Sequence, residues 1–150
     1  MSGRLIGIAR AREMRAPLEE LDTASIAERH GIEGDARGIK ADRQITVLFR
    51  EGWEDACRDI GASLPWTTRR ANLYVEGLDR PRTAGGRIVI GEVVLAVAQE
   101  TKPCDLMERA RAGLRRALEP DWRGGVCCNV LQGGTIRKGD AVIYSGTPER

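Results

Sequence analysis

The stretch RIVIGEVVLAVA, residues 87–98, holds two runs rich in β-branched residues separated only by Gly91-Glu92. A two-residue connection containing glycine between such runs reads as a β-hairpin turn. Working outward, the pattern recurs. Leu5–Ala9, roughly Leu18–Ile26, Gln44–Phe49, Ala71–Val75, Val126–Leu131 and Ala141–Tyr144 are further short apolar segments bounded by turn residues. Arg137-Lys138-Gly139-Asp140 is a second turn signal. About seven or eight short strands so spaced predict an antiparallel barrel or sandwich.

Two stretches break the pattern and predict helices. In Glu51–Gly61, the residues Trp53, Ala56, Cys57 and Ile60 fall on one apolar stripe, and Gly61 is a plausible stop. The second helix is expected from about Asp105 to Leu118, with Leu106, Ala110, Leu114 and Leu118 on one face. Pro120 opposes its continuation. No internal repeat or low-complexity linker interrupts the chain, so one domain over residues 1–150 is expected, with a loose tail from about Gly146.

The 24 basic and 22 acidic residues nearly cancel, leaving a net charge of +2 that implies no general affinity for membranes or nucleic acid. Aromatic residues make up 4% and no basic stripe is sustained, which argues further against nucleic-acid binding. The N-terminus carries only a four-residue apolar stretch before charges return, too short for a signal-peptide core. A cytoplasmic location is expected. Cys57, Cys104, Cys127 and Cys128 form no CxxC and no secreted-type framework, and with His30 as the single histidine a zinc site is not expected.

Cys104 lies in Thr101-Lys102-Pro103-Cys104-Asp105, where a strand hands over to the second helix. Backbone N–H groups at a helix start and the Lys102 charge favour a thiolate, while Asp105 opposes it. Such a thiolate can ligate a soft metal, carry a persulfide or act as a nucleophile; a lone cysteine can equally be small apolar packing, which spacing alone favours. Cys57 falls in the helical stripe and reads as core. Cys127 and Cys128 are successive strand residues on opposite faces, so one should be buried and the other outward or in a cleft, with packing the favoured role for both. The loop Gly31–Gly38, with Gly34, Asp35 and Arg37, can cradle an anion or simply connect strands. Arg69-Arg70 and Arg123 share that ambiguity, and His30 reads as a loop residue.

Five segments in order resemble the MOSC domain, the C-terminal region of molybdenum cofactor sulfurases. They are GIEGD (31–35), RQITVL (43–48), RANLYVEG (70–77), the stretch from Gly91 ending in Pro103-Cys104, and WRGGVCCNVLQGGTIRKGD (122–140). The resemblance covers most of the chain and is to small stand-alone members. It implies a mainly β, MOSC-type barrel of about seven or eight mostly antiparallel strands with two or three flanking helices.

It also implies a role in molybdenum cofactor binding or sulfur transfer, with Cys104 as the molybdenum ligand or the persulfide carrier. Gly34, Asp35, Arg37, Arg43, Arg69, Arg70, Asn72 and Arg123, within or beside the matching segments, become candidates to hold the cofactor, the arginines its phosphate. The activity implied is that of a molybdenum-dependent oxidoreductase or a sulfurtransferase component. A cysteine desulfurase or a redox partner would supply sulfur or electrons. Pyridoxal phosphate would belong to that desulfurase, because none of Lys40, Lys102 and Lys138 stands out as a Schiff-base lysine. Two positions depart from the family pattern. Ala36 replaces a histidine or basic residue and Asn129 replaces an arginine, each removing one anion contact. The alternative is a non-enzymatic module binding a small anion or a protein, with Cys104 structural.

Overall fold

The computed structural model describes residues 2–39 and 42–146. Lys40 and residues 147–150, most of the expected tail, lie outside them.

The 87–98 stretch folds as read. β7 (Arg87–Ile90) and β8 (Val93–Glu100) pair antiparallel, with Ile90 opposite Val93 across the Gly91-Glu92 turn. Around this hairpin, β1 (Ser2–Arg10), β5 (Ile45–Phe49), β6 (Leu73–Glu76), β9 (Val126–Gln132) and β11 (Ala141–Ser145) complete a sheet ordered β11-β7-β8-β9-β5-β6-β1. Pairing of β1 with β11, Ser2 opposite Ile143, closes it into a seven-stranded barrel. The short β2 (Glu19–Glu20) adds an outer strand to β1. The mainly β barrel expected from the sequence is therefore what forms.

One pairing is parallel, β5 with β6, because α1 (Arg50–Asp59) crosses over between them. Strand alternation sorts β5 cleanly. Ile45, Val47 and Phe49 enter the barrel core, while Leu48 packs outside with Trp53, Ala56 and Cys57 of α1. Full burial of a Leu or Ile side chain is worth about 1.5–3 kcal/mol, and Leu5, Ile45, Leu73, Ile88 and Leu95 are all fully buried.

Three expectations are corrected. The 18–26 segment is not one strand: it divides into β2 and β3 (Thr23–Ala27), and β3 leaves the barrel to pair with β4 (Gly31–Ile32) and β10 (Gly134–Arg137). Those last two strands, two and four residues long, were not anticipated. The helix expected over 105–118 breaks into α2 (Asp105–Ala110) and α3 (Leu114–Leu118). Arg111 is extended and Gly113 sits at φ 86°, a left-handed conformation that no helix interior admits. The apolar stripe is lost with the break. Met107, Leu114, Ala117 and Leu118 are buried, but Leu106 is 46% exposed and Ala110 is exposed.

Candidate functional site

β8 ends at Glu100, and Thr101 still bonds across to β9's approach through its N–H to the Gly125 carbonyl (2.9 Å). Pro103 then fixes an extended departure, and Cys104 stands as the extended residue before α2, φ −129° and ψ −173°. Cys104 is exposed, whereas Cys57, Cys127 and Cys128 are buried. α2 has only six residues, and Asp105 in its first turn pairs with Arg115, so the helix start adds little to the thiol's environment. Cys57 lies in the helix-covered core as expected, its thiol pushed up by burial. Cys128 points into the barrel, its thiol pushed up by burial and then by Cys127. Cys127 faces the other way yet is only 1% exposed, so neither of the adjacent pair is open to solvent.

Cys104 lines a cleft of about 440 Å³ on the outer barrel face. The same cleft is lined by Arg37, Arg43, Arg69, Arg70 and Asn72, five of the eight residues expected beside Cys104. With Cys104 they come from three separate parts of the chain: residues 37–43, residues 69–72 and residue 104.

Arg69 ends a 3-10 turn, Trp66–Arg69, and is 8% exposed. Its Nε donates to the Gly124 carbonyl (3.1 Å) and its Nη2 to the Thr101 carbonyl (2.8 Å). Among the described residues it has no carboxylate partner. Burial pulls its pKa below the usual arginine value, and the sulfurs of Cys104 and Cys127 pull it back up. A buried guanidinium whose hydrogen bonds go only to two backbone carbonyls leaves the cleft wall positive. Arg37 donates from Nη1 to the Arg70 carbonyl (2.7 Å) and from Nε to Asp35 (3.0 Å), but its buried Nη2 has no partner. Arg70 is held left-handed, φ 64°, and donates to the Ala16 carbonyl (2.7 Å). Burial, and then the Arg37 charge, lower its pKa. Arg43 and Lys102 are exposed and form no hydrogen bond or ion pair among the described residues.

Gly34, Asp35 and Arg123 do not line the cleft. Gly34 is the exposed turn residue that delivers Asp35 inward. The Asp35 carboxylate, fully buried, accepts from the Ala11 N–H (2.8 Å), Arg37 Nε (3.0 Å) and Asn72 Nδ2 (3.3 Å). Asn72 in turn accepts from the Thr46 N–H (3.0 Å) and donates to the Ala9 carbonyl (3.2 Å). These two residues are the framework beneath the cleft, and no donor of Asn72 is spare for a ligand. Arg123 instead joins Asp59 of α1 (2.7 Å) to the Ala117 carbonyl of α3 (3.0 Å). Its neighbours Asp121 and Trp122 are both left-handed (φ 56° and 55°), held by Arg80 and Arg82 on the Asp121 carboxylate. Asn129 faces Asp42, accepting from its N–H (2.6 Å), and does not line this cleft. Ala36 does line it.

Sequence reasoning missed the cleft's apolar rim. Met14, Ile39 and Leu106 are 66%, 74% and 46% exposed, and all three line the cleft. Helical period puts Leu106 on one face with Leu114, which gives no sign that it borders a cleft. Thr46 and Thr101 also line it; both lie within matching segments, but nothing in those segments set them apart from their neighbours. A second cavity of about 530 Å³ adjoins the first, sharing Arg43, Thr101 and Lys102 with it and adding Trp122 and Cys127.

The MOSC domain model matches residues 28–143, a span that includes the barrel strands β5 to β9 and Cys104. The chain belongs to the MOSC domain family. Solved structures of MOSC-like shape agree with this at the level of fold. The YuaD protein of Bacillus subtilis has a TM-score of 0.84 at 19% identity, with 98% of each chain covered. YiiM of Escherichia coli has a TM-score of 0.69 at 17% identity, covering 98% of this chain and 72% of that one. YiiM of Geobacillus stearothermophilus has a TM-score of 0.68 at 18% identity, covering 96% and 73%. No curated protein matches the sequence. Among the described residues of this MOSC domain, no helix is long and apolar enough to cross a membrane.

The turn that carries Arg69 rests on a stacked pair, Trp66 on Tyr74, with ring centroids 5.1 Å apart and planes within 3°. Burial, and then Glu54, push the Tyr74 phenol up to about 12, against a usual value of about 10. Between those values the unfolded chain loses a proton that the folded one keeps, so stability falls as pH rises through that window. Alkaline difference absorbance should therefore show this phenol ionising near pH 12. Ionisation of Tyr74 near its ordinary value in the folded protein would contradict the stacked, buried placement.

Proposed function

We propose that the cleft binds the molybdenum cofactor, with Cys104 as the protein's ligand to the metal. The observation that carries this reading is the meeting of the one exposed thiol with a positive, partly apolar cleft. The donor set fits the group. A soft thiolate suits molybdenum, and the unpartnered Arg37 Nη2 and the free Arg43 suit a phosphate. Among the described residues no group of three or more His, Cys, Asp or Glu could hold a bare metal, so the metal would arrive with its own ligands and Cys104 would add one. Arg69, buried and lacking a carboxylate, would hold negative charge beside the thiol. The rim of Met14, Ile39 and Leu106 would exclude water from one side. When bound, the cofactor supplies a redox-active metal, and the protein would serve as an oxidoreductase taking electrons from a separate partner.

A second reading, sulfur carriage, is favoured by the exposure of Cys104. A persulfide must be reached by a donor such as a cysteine desulfurase, and pyridoxal phosphate would stay with that partner. Metal analysis of protein from a molybdenum-competent host, beside Cys104→Ser, tests the leading reading. Stoichiometric molybdenum in the wild type and its loss in the variant are expected. Equal metal in both would remove Cys104 as ligand, and metal in neither would sink cofactor binding.

A further inference from the structure

Cys127 is a buried thiol that metal ligation leaves unused, and its surroundings are not those of a packing residue. On β9, Val126, Cys128 and Val130 point into the barrel and join its apolar cluster; Cys127 does not. Its cross-strand partner on β5 is Thr46, and in an antiparallel pair such partners share a face. Thr46 lines the Cys104 cleft. The Cys127 Sγ lies 3.2 Å from the Thr101 Oγ1, and Thr101 lines the same cleft while its carbonyl anchors Arg69. Arg69, held by that carbonyl, lines the same cleft as Cys104. Cys127 thus touches, through Thr101, the wall of the cleft that Cys104 lines. It also lines the adjoining cavity of about 530 Å³, where an added sulfur atom has room.

We propose that Cys127 is a sulfur acceptor for Cys104, so that the two thiols form an entry and a storage position. This rests on the sulfur-carrier reading. A low-molecular-weight persulfide first loads Cys104: the Cys104 thiolate attacks its outer sulfur, and the donor leaves as a thiolate. The Cys127 thiolate then attacks the outer sulfur of the Cys104 persulfide. The S–S bond at Cys104 breaks, one forms at Cys127, and Cys104 leaves as a thiolate that takes up the proton Cys127 gave up. Nothing is oxidised or reduced overall. Exposed persulfides are open to reductants, and exchange slows with loss of access, so transfer inward would protect the sulfur.

The test is a time course on the full chain with glutathione persulfide, stopped by alkylation under denaturing conditions and mapped by peptide mass spectrometry. Sulfane sulfur should come first on Cys104 and then accumulate on Cys127. Cys104→Ser should slow labelling of Cys127 by about tenfold or more, since access limits thiol exchange. Cys127→Ser, with Cys127→Ala as a second variant and thermal melts to confirm folding, should keep the sulfur on Cys104 and shorten its lifetime in dithiothreitol several-fold. Labelling of Cys104 without Cys127 overturns the relay and leaves the carrier reading standing. Wild-type-rate labelling of Cys127 in Cys104→Ser overturns it as well. Sulfur on neither residue overturns the carrier reading itself.

Discussion

Asp35→Ala is expected to lower the unfolding free energy by about 3–5 kcal/mol, the usual result of removing one member of a buried ion pair. The carboxylate is fully buried and joins three parts of the chain: the Ala11 N–H, the Arg37 guanidinium and the Asn72 amide. Without it, the Ala11 N–H and one Asn72 donor lose their acceptor, and Arg37 keeps only the Arg70 carbonyl. Each orphaned donor carries its own desolvation cost. Because Arg37 and Asn72 both line the cleft, ligand affinity should fall along with stability. Asp35→Asn should cost less, since one oxygen still accepts while the new amide faces donors. Urea denaturation of both variants measures the difference. A loss below about 1 kcal/mol for alanine, the scale of a surface ion pair, would mean the network is not what holds this edge of the barrel.

Gly125→Ala should be comparably severe, for a different reason. Gly125 is left-handed (φ 93°), and a Cβ there would lie 2.2 Å from the Val47 carbonyl oxygen on the facing strand β5. The backbone conformation alone costs an alanine about 1–2 kcal/mol. The clash is with main chain, so β5 and β9 would have to separate, and a total of about 3–5 kcal/mol is expected. Gly139→Ala isolates the first term. Gly139 is also left-handed (φ 97°) but has nothing within 4 Å of the added carbon. If the two variants lose equal stability on thermal melting, the close approach of β9 to β5 is wrong. The Gly125 carbonyl also accepts from Thr101, whose own carbonyl anchors Arg69, so the variant should weaken anion binding in the cleft too.

Where local pattern and tertiary demand coincide, the sequence was readable. The 87–98 hairpin and α1 satisfy both turn chemistry and burial by themselves, so their residues announce them. The 105–118 helix did not, because Leu106, Ala110, Leu114 and Leu118 have helical spacing while Gly113 needs a conformation no helix allows. β4 and β10 escaped notice since strands of two and four residues exist only through pairing with β3. Arg37, Arg43, Arg69 and Arg70 could be singled out as basic residues beside matching segments. Nothing local showed that Arg123, equally basic and glycine-flanked, would bind Asp59 instead.

By itself, the sequence determined a mainly β class, barrel or sandwich, and the motif segments that mark the MOSC family, while Cys104 stood out among four cysteines only through that resemblance. Strand period, turn residues and motif order are one-dimensional properties, so they can be read along the chain. The cleft was decided only by the fold. Closure of β1 onto β11 and the parallel crossover through α1 bring residues 37, 43, 69, 72 and 104 to one surface. Burial then settled their division of labour. Asp35 and Asn72 spend their hydrogen bonds on the frame, Arg69 is left charged without a carboxylate, and Cys127 touches, through Thr101, the wall that Cys104 lines. No pattern within β9 distinguishes Cys127 from Cys128 in that respect, because strand alternation says that they diverge but not what each will meet.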